Sequence, residues 1–213
     1  MKNDLDLLVL VNNPLDMPTK RLLIERLLSL EDLPGKGIEM SVVLGKYAQE
    51  FQYPTPFEVH FSELLKDRYI NDRNFVCGND VDPDLAAHMT MVYHRGVCLY
   101  GKEIKDAFVE IPKKYYVDSI LYDLAEVRTD IIKDPVYYIL NLCRVLYYLR
   151  ENRIASKKEG GDWGRKNLPE KYKEIIKTAV GIYSGRYANA GWDPILLADF
   201  AEYMLQEIDY FIP

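Results

Sequence analysis

Leu5 to Val11 is an apolar run broken only by Asp6 and closed by Asn12-Asn13-Pro14, the pattern of a strand buried on both faces. Pro18 to Leu30 then places Leu22, Leu23, Leu27 and Leu30 on one stripe, which predicts an amphipathic helix. Pro34-Gly35-Lys36-Gly37 ends it. From Ile38 to Leu44, Glu39 and Ser41 alternate with Met40 and Val42, and strand character returns. A strand-helix-strand unit of this kind builds a small mixed sheet.

Gly45 to Pro56 carries no clear period, and Tyr53-Pro54-Thr55-Pro56 reads as rigid, extended chain. Beyond it the signals are helical. Asp82-Pro83-Asp84 opens a helix to about His94 that stops at Gly96, with a proline and acids in its first turn. Further helices are predicted over Lys114 to Ile132, Pro135 to Glu151, Pro169 to Tyr183 and Pro194 to Ile212. Asp134 suits an N-cap before Pro135, and Ser156 with Glu159 three residues on forms a capping box. The expected division is an α/β part followed by a helical part, with the boundary near residues 60–80.

A net charge of -6 argues against a general nucleic-acid binder, which needs a basic surface to displace counterions. It suits a cationic small molecule better, because a negative site concentrates positive ligands. Cys77, Cys98 and Cys143 are odd in number and lack metal-ligand spacing, so no disulfide framework or zinc site is expected. Met1 is followed by Lys2, Asn3 and Asp4 rather than a long apolar leader, and no stretch is long and apolar enough to span a bilayer. The expected location is the cytoplasm.

Asp4 and Asp6 lie two apart on extended chain and project from one face. Paired carboxylates repel unless a cation lies between them, and oxygen ligands of this type suit Mg²⁺. The alternative is a solvated turn before a strand. Glu39, one residue into the second strand, would come alongside them if the two strands are neighbours; three such carboxylates could hold a metal and accept a proton from a hydroxyl. Equally, Glu39 and Ser41 could line a strand face open to water. Arg144 sits among Leu140, Leu142, Val145 and Leu146, where its planar fork calls for a carboxylate or a phosphate. Lys157 occupies the first turn of a helix, where anions are favoured. Packing and surface roles stay open for both. Asp130 and Asp134 bracket a helix break, as a cation-binding pair or as helix-end residues. His60, His88 and His94 receive no role, since the spacing of His88 and His94 does not match a helical metal pair.

Asn3-Asp4-Leu5-Asp6-Leu7-Leu8-Val9 resembles the second half of the nucleotidyltransferase signature of the aminoglycoside (spectinomycin/streptomycin) adenylyltransferase family, Ser-Asp-Ile-Asp-Leu-Leu-Val. Ile38 to Val43 is similar to the strand that carries that family's third acid. Asp82 to Ala86, Leu140 to Arg144, Ile154 to Lys157, Asp162-Trp163 and Leu168-Pro169 resemble its helical C-terminal domain, in order and at fitting spacing. The resemblance covers almost the whole chain.

It implies an α+β fold: a truncated nucleotidyltransferase mixed sheet domain at residues 1–64, followed by an all-helical C-terminal bundle at 80–213. It implies AMP transfer from ATP to a hydroxyl of an aminoglycoside or aminocyclitol, with spectinomycin favoured. Asp4, Asp6 and Glu39 would hold Mg²⁺, Glu39 would be the catalytic base, and Arg144 and Lys157 would meet the nucleotide phosphates. Asp130, Asp134 and Tyr137 would face the cationic acceptor, from a site between the two domains, in a monomer. Three departures accompany the match. The family's Gly-Ser turn, which cradles the triphosphate, precedes its Asp-x-Asp, whereas Met1 stands three residues before Asp4; the expectation is a chain lacking that element and poor at AMP transfer. Aromatic residues that stack on the drug in some members fall at Leu64 and Ala125, and a drug-contacting histidine falls at Tyr137. The alternative is a non-catalytic protein that keeps the fold. An RNA-directed toxin is disfavoured, because no Arg-x4-His motif occurs on a late helix: Leu149 follows Arg144 and Ala155 follows Arg150 at that spacing.

Overall fold

Strand β1 (Leu5–Val11) and strand β2 (Ile38–Leu44) run parallel, joined through helix α1 (Met17–Leu28). The computed structural model describes residues 5–31, 35 and 37–212. Asp16 caps α1, its carboxylate accepting from the Thr19 N–H at 2.9 Å. Helix α2 (Gly45–Gln49) follows β2 directly, and then come strands β3 (Thr55–Phe57) and β4 (Val59–Phe61). After helix α3 (Lys66–Asn71), strand β5 (Asp80–Asp82) pairs antiparallel with β3. The main sheet has the order β1-β2-β4, with β4 antiparallel to β2.

β2 is central, and all of its residues but Glu39 are buried. Ile38, Met40 and Val42 pack with Ile24 and Leu27 of α1, along with Val59 and Phe61. On the opposite face Val43 meets Leu85, Ala86 and Met89 of helix α4 (Leu85–Arg95). Helix α4 therefore belongs with the sheet, although its periodicity alone groups it with the later helices. Its apolar stripe finds its partner on β2. The described residues fall into two compact units, the first ending at Ser119 and the second starting at Ile120.

Lys20 is 1% exposed, and its Nζ lies 3.1 Å from a Glu58 carboxylate oxygen and 2.6 Å from Asn79 Oδ1. Glu58 also accepts from the Leu15 N–H at 3.0 Å. A buried charge is tolerated only when paired and hydrogen-bonded in this way. The interaction ties α1 to the β3–β4 corner.

Helix α5 (Ile104–Ala107) and helix α6 (Lys113–Tyr122) complete the approach to the second unit. One helix is expected from Lys114 to Ile132, but the chain breaks after Tyr122 and resumes as helix α7 (Val127–Asp130). Tight i to i+3 bonds at Leu124, Ala125 and Val127 produce the break and allow Leu124 and Val127 both to be buried. Helix α8 (Pro135–Glu151) is capped by Asp134, which accepts from the Tyr137 N–H at 3.1 Å. Helix α9 (Lys157–Asn167) starts at the expected Ser156–Glu159 capping box. Helix α10 (Lys173–Tyr183) and helix α11 (Pro194–Phe211) complete the bundle.

The α8–α9 crossing depends on two glycines. A Cβ on Gly160 would lie 2.7 Å from Arg144 Cα, and one on Gly161 would lie 2.6 Å from Leu140 Cδ2. Side chains at either position would push the helices apart. No helix among the described residues is long and apolar enough to cross a membrane.

Candidate active site

In the β1–β2 register Asp6 lies opposite Glu39, so these two carboxylates share one sheet face. Glu39 is on the face covered by α4, two residues from Ser41 and four from Val43. Asp4, the third acid of the expected set, lies outside the described residues.

α4 brings a group that composition and spacing did not single out. His88 Nε2 stands 3.1 Å from Asp84 Oδ2 and 3.9 Å from Glu39 Oε1. Burial opposes the imidazolium, but the Asp84 hydrogen bond and the charges of Asp84, Glu39 and Asp6 outweigh it, and the His88 pKa rises to about 9. The sequence signal was present as Asp84-x-x-x-His88, an acid and a histidine one helical turn apart. The spacing between histidines alone does not reveal it.

Polar groups continue along this face. Ser41 Oγ lies 3.0 Å from His60 Nδ1, on the strand pair where Ser41 and His60 are register partners. Burial holds the His60 pKa below its ordinary value, so the ring is neutral at pH 7. Burial likewise raises the Asp82 carboxyl, and the neighbouring Asp84 charge adds to it, although Asp82 accepts from the Asp84 N–H at 2.8 Å. The result is an acidic site in which His88 is the cation drawn between carboxylates.

The donor set suits a hard cation. Mg²⁺ is commonly held by one or two carboxylates, with waters and substrate phosphates completing its shell. Asp6 and Glu39 offer two such groups on adjacent strands. Among the described residues no three His, Cys, Asp or Glu side chains are arranged as a metal site.

The other expected residues all belong to the second unit. Arg144 NH2 lies 3.7 Å from Asp123 Oδ2, and the buried Nε of Arg144 has no hydrogen-bond partner. Lys157, at the first position of α9, sits with Nζ 4.5 Å from the centre of the Tyr137 ring. The Gly160 contact with Arg144 Cα sets α9 close to α8 and so fixes the spacing of these two basic residues. Asp130 accepts from Lys133 at 2.8 Å and from Thr129 at 3.0 Å, bonds that hold its carboxyl below the usual range. Asp134 serves as the α8 N-cap. Together with Asp123 and Glu126 these acids surround Tyr138, whose pKa is raised by burial first and by their charges next.

Residues 106–207 match the family model described as aminoglycoside adenylyltransferase, C-terminal domain. An aminoglycoside (3'') (9) adenylyltransferase of Klebsiella pneumoniae is 27% identical, over 97% of this chain and 80% of that one. A spectinomycin 9-adenylyltransferase of Staphylococcus aureus is 26% identical, over 87% and 72%. The fold is similar to that of the spectinomycin adenylyltransferase of Enterococcus faecalis, solved with ATP and spectinomycin. The TM-score is 0.82 at 21% identity, over 98% of this chain and 86% of that one. The family model covers the helical part of the chain and the relatives span nearly all of it, so the chain is similar to aminoglycoside adenylyltransferases along most of its length.

Proposed function

We propose that this protein transfers AMP from ATP to a hydroxyl of an aminocyclitol or aminoglycoside antibiotic, with spectinomycin as the leading acceptor. The observation that carries the proposal is the Asp6–Glu39 carboxylate pair, in a chain whose relatives are named as adenylyltransferases of these drugs. The acceptor hydroxyl oxygen forms a bond to the α-phosphorus of ATP, the bond from that phosphorus to the bridging oxygen breaks, and pyrophosphate leaves. Glu39 takes the hydroxyl proton. Asp6, Glu39 and Asp4 are the residues that would hold Mg²⁺, which supplies charge stabilisation to the phosphate oxygens when bound. Arg144 and Lys157 are assigned to the nucleotide phosphates, for which a planar fork and a point charge are complementary donors. Asp130, Asp134 and Tyr137 are assigned to the cationic acceptor, and the excess of acids around Tyr138 supports that choice.

The test is pyrophosphate release from ATP and Mg²⁺ with spectinomycin, streptomycin or no acceptor, for the wild type and Glu39→Gln. Release should require an acceptor and fall at least about a hundredfold in Glu39→Gln. Release with streptomycin alone would overturn the choice of acceptor. No acceptor-dependent release with either drug would overturn the transferase role.

A further inference from the structure

We propose that His88 is a positioning residue for Glu39, itself oriented by Asp84, so that an Asp84–His88–Glu39 chain fixes where the base carboxylate points. The proposal takes the base role of Glu39 from the AMP-transfer reading; the contact itself does not depend on it.

Glu39 is the one half-exposed residue of a strand otherwise buried along its length. A glutamate there has three rotatable bonds, and restricting them costs conformational entropy unless a partner selects one arrangement. His88 supplies that partner. The same ring nitrogen faces both carboxylates, with a hydrogen bond to Asp84 at 3.1 Å and charge attraction to Glu39 at 3.9 Å. The Asp84 end is immobilised from several sides. Its N–H donates to Asp82 Oδ1 at 2.8 Å, and its carbonyl accepts from Ser119 Oγ at 3.2 Å. Ser119 Oγ in turn accepts from the Ala87 N–H at 3.1 Å. Leu85, Ala86 and Met89 bury the adjoining turns of α4 against Val43, two residues beyond Ser41 on the Glu39 strand. An i, i+4 acid–histidine pair on an exposed helix face would stabilise only the helix. This pair lies on the inner side of α4 and reaches a carboxylate on another element.

The test uses the full chain with His88→Phe, His88→Gln and Asp84→Asn. His88→Phe should lower kcat roughly 10- to 100-fold with KM for ATP within about twofold, because misplacement of a reacting group affects the chemical step. His88→Gln, which keeps an N–H donor, should recover most of that loss, and Asp84→Asn should fall between the two. A His88→Phe variant with unchanged kcat would overturn the proposal, as would a loss carried equally by KM for ATP. A second readout needs neither metal nor turnover: in the metal-free protein, Glu39→Gln and Asp84→Asn should each shift the His88 ring resonances in nitrogen-15 spectra. If Glu39→Gln leaves them unmoved, the tether is absent whatever the enzyme transfers. If the resonances shift but no acceptor supports pyrophosphate release, the positioning contact stands and the transferase reading fails.

Discussion

Asp6 and Glu39 are register partners on parallel strands, two carboxylates held side by side on one sheet face. Like charges directly opposed on a sheet are destabilising, so a fold that retains them spends stability on the site. Asp6→Asn should therefore lower kcat/KM for Mg²⁺-ATP by at least about a hundredfold while Tm falls by no more than about 2 °C. Paired thermal melts and pyrophosphate assays would check this. A large drop in Tm would mark Asp6 as a structural residue instead.

The His88 charge should be visible by titration. Its ring faces Asp84, Glu39 and Asp6, with His60 and Asp82 nearby, and its pKa in the fold is about 9. Because that value is raised above the ordinary 6.5, the stabilisation is fully present below about pH 6.5 and is lost as pH rises through 9. It amounts to something on the order of 3 kcal/mol. Urea denaturation between pH 6 and 10 should show wild type losing this margin over His88→Phe as pH rises. A constant difference across that range would refute the assignment.

Breaking the Lys20–Glu58 pair should cost far more than removing it whole. Glu58→Leu leaves the 1%-exposed Lys20 ammonium without its carboxylate and should destabilise by about 3–5 kcal/mol. Lys20→Met with Glu58→Leu should recover a large part of that loss. Equilibrium unfolding of the two single variants and the double variant completes the cycle.

Gly160→Ala places a methyl 2.7 Å from Arg144 Cα, backbone that cannot swing aside. Overpacking of this kind costs about 1–3 kcal/mol. The same substitution should raise KM for ATP, since Arg144 and Lys157 flank the crossing. Unchanged KM with lowered stability would separate α9 from nucleotide binding.

Much of this architecture was legible in the chain. The apolar runs marked β1 and β2, and Asp134, Pro135, Ser156 and Glu159 marked the starts of α8 and α9, because these features are local. Strands β3, β4 and β5 were not legible. Each is three residues long, too short to show a period, and each exists through pairing with a distant segment. The same limit hid His88: its place beside Glu39 follows from α4 packing on β2, a contact between positions about fifty apart in the chain. Asp6 and Glu39 could be paired in advance only on the condition that β1 and β2 were neighbours.

Glu39 lies on the strand flanked on both edges and covered on both faces. Elements with that enclosure are the last to open in local fluctuations, and their amides exchange with solvent only on near-global unfolding. The Glu39 carboxylate thus rides on the slowest-exchanging backbone of its unit. Heating or mild denaturant that frays α5 or the chain beyond α4 should leave Glu39 in register with Asp6 until the sheet itself gives way.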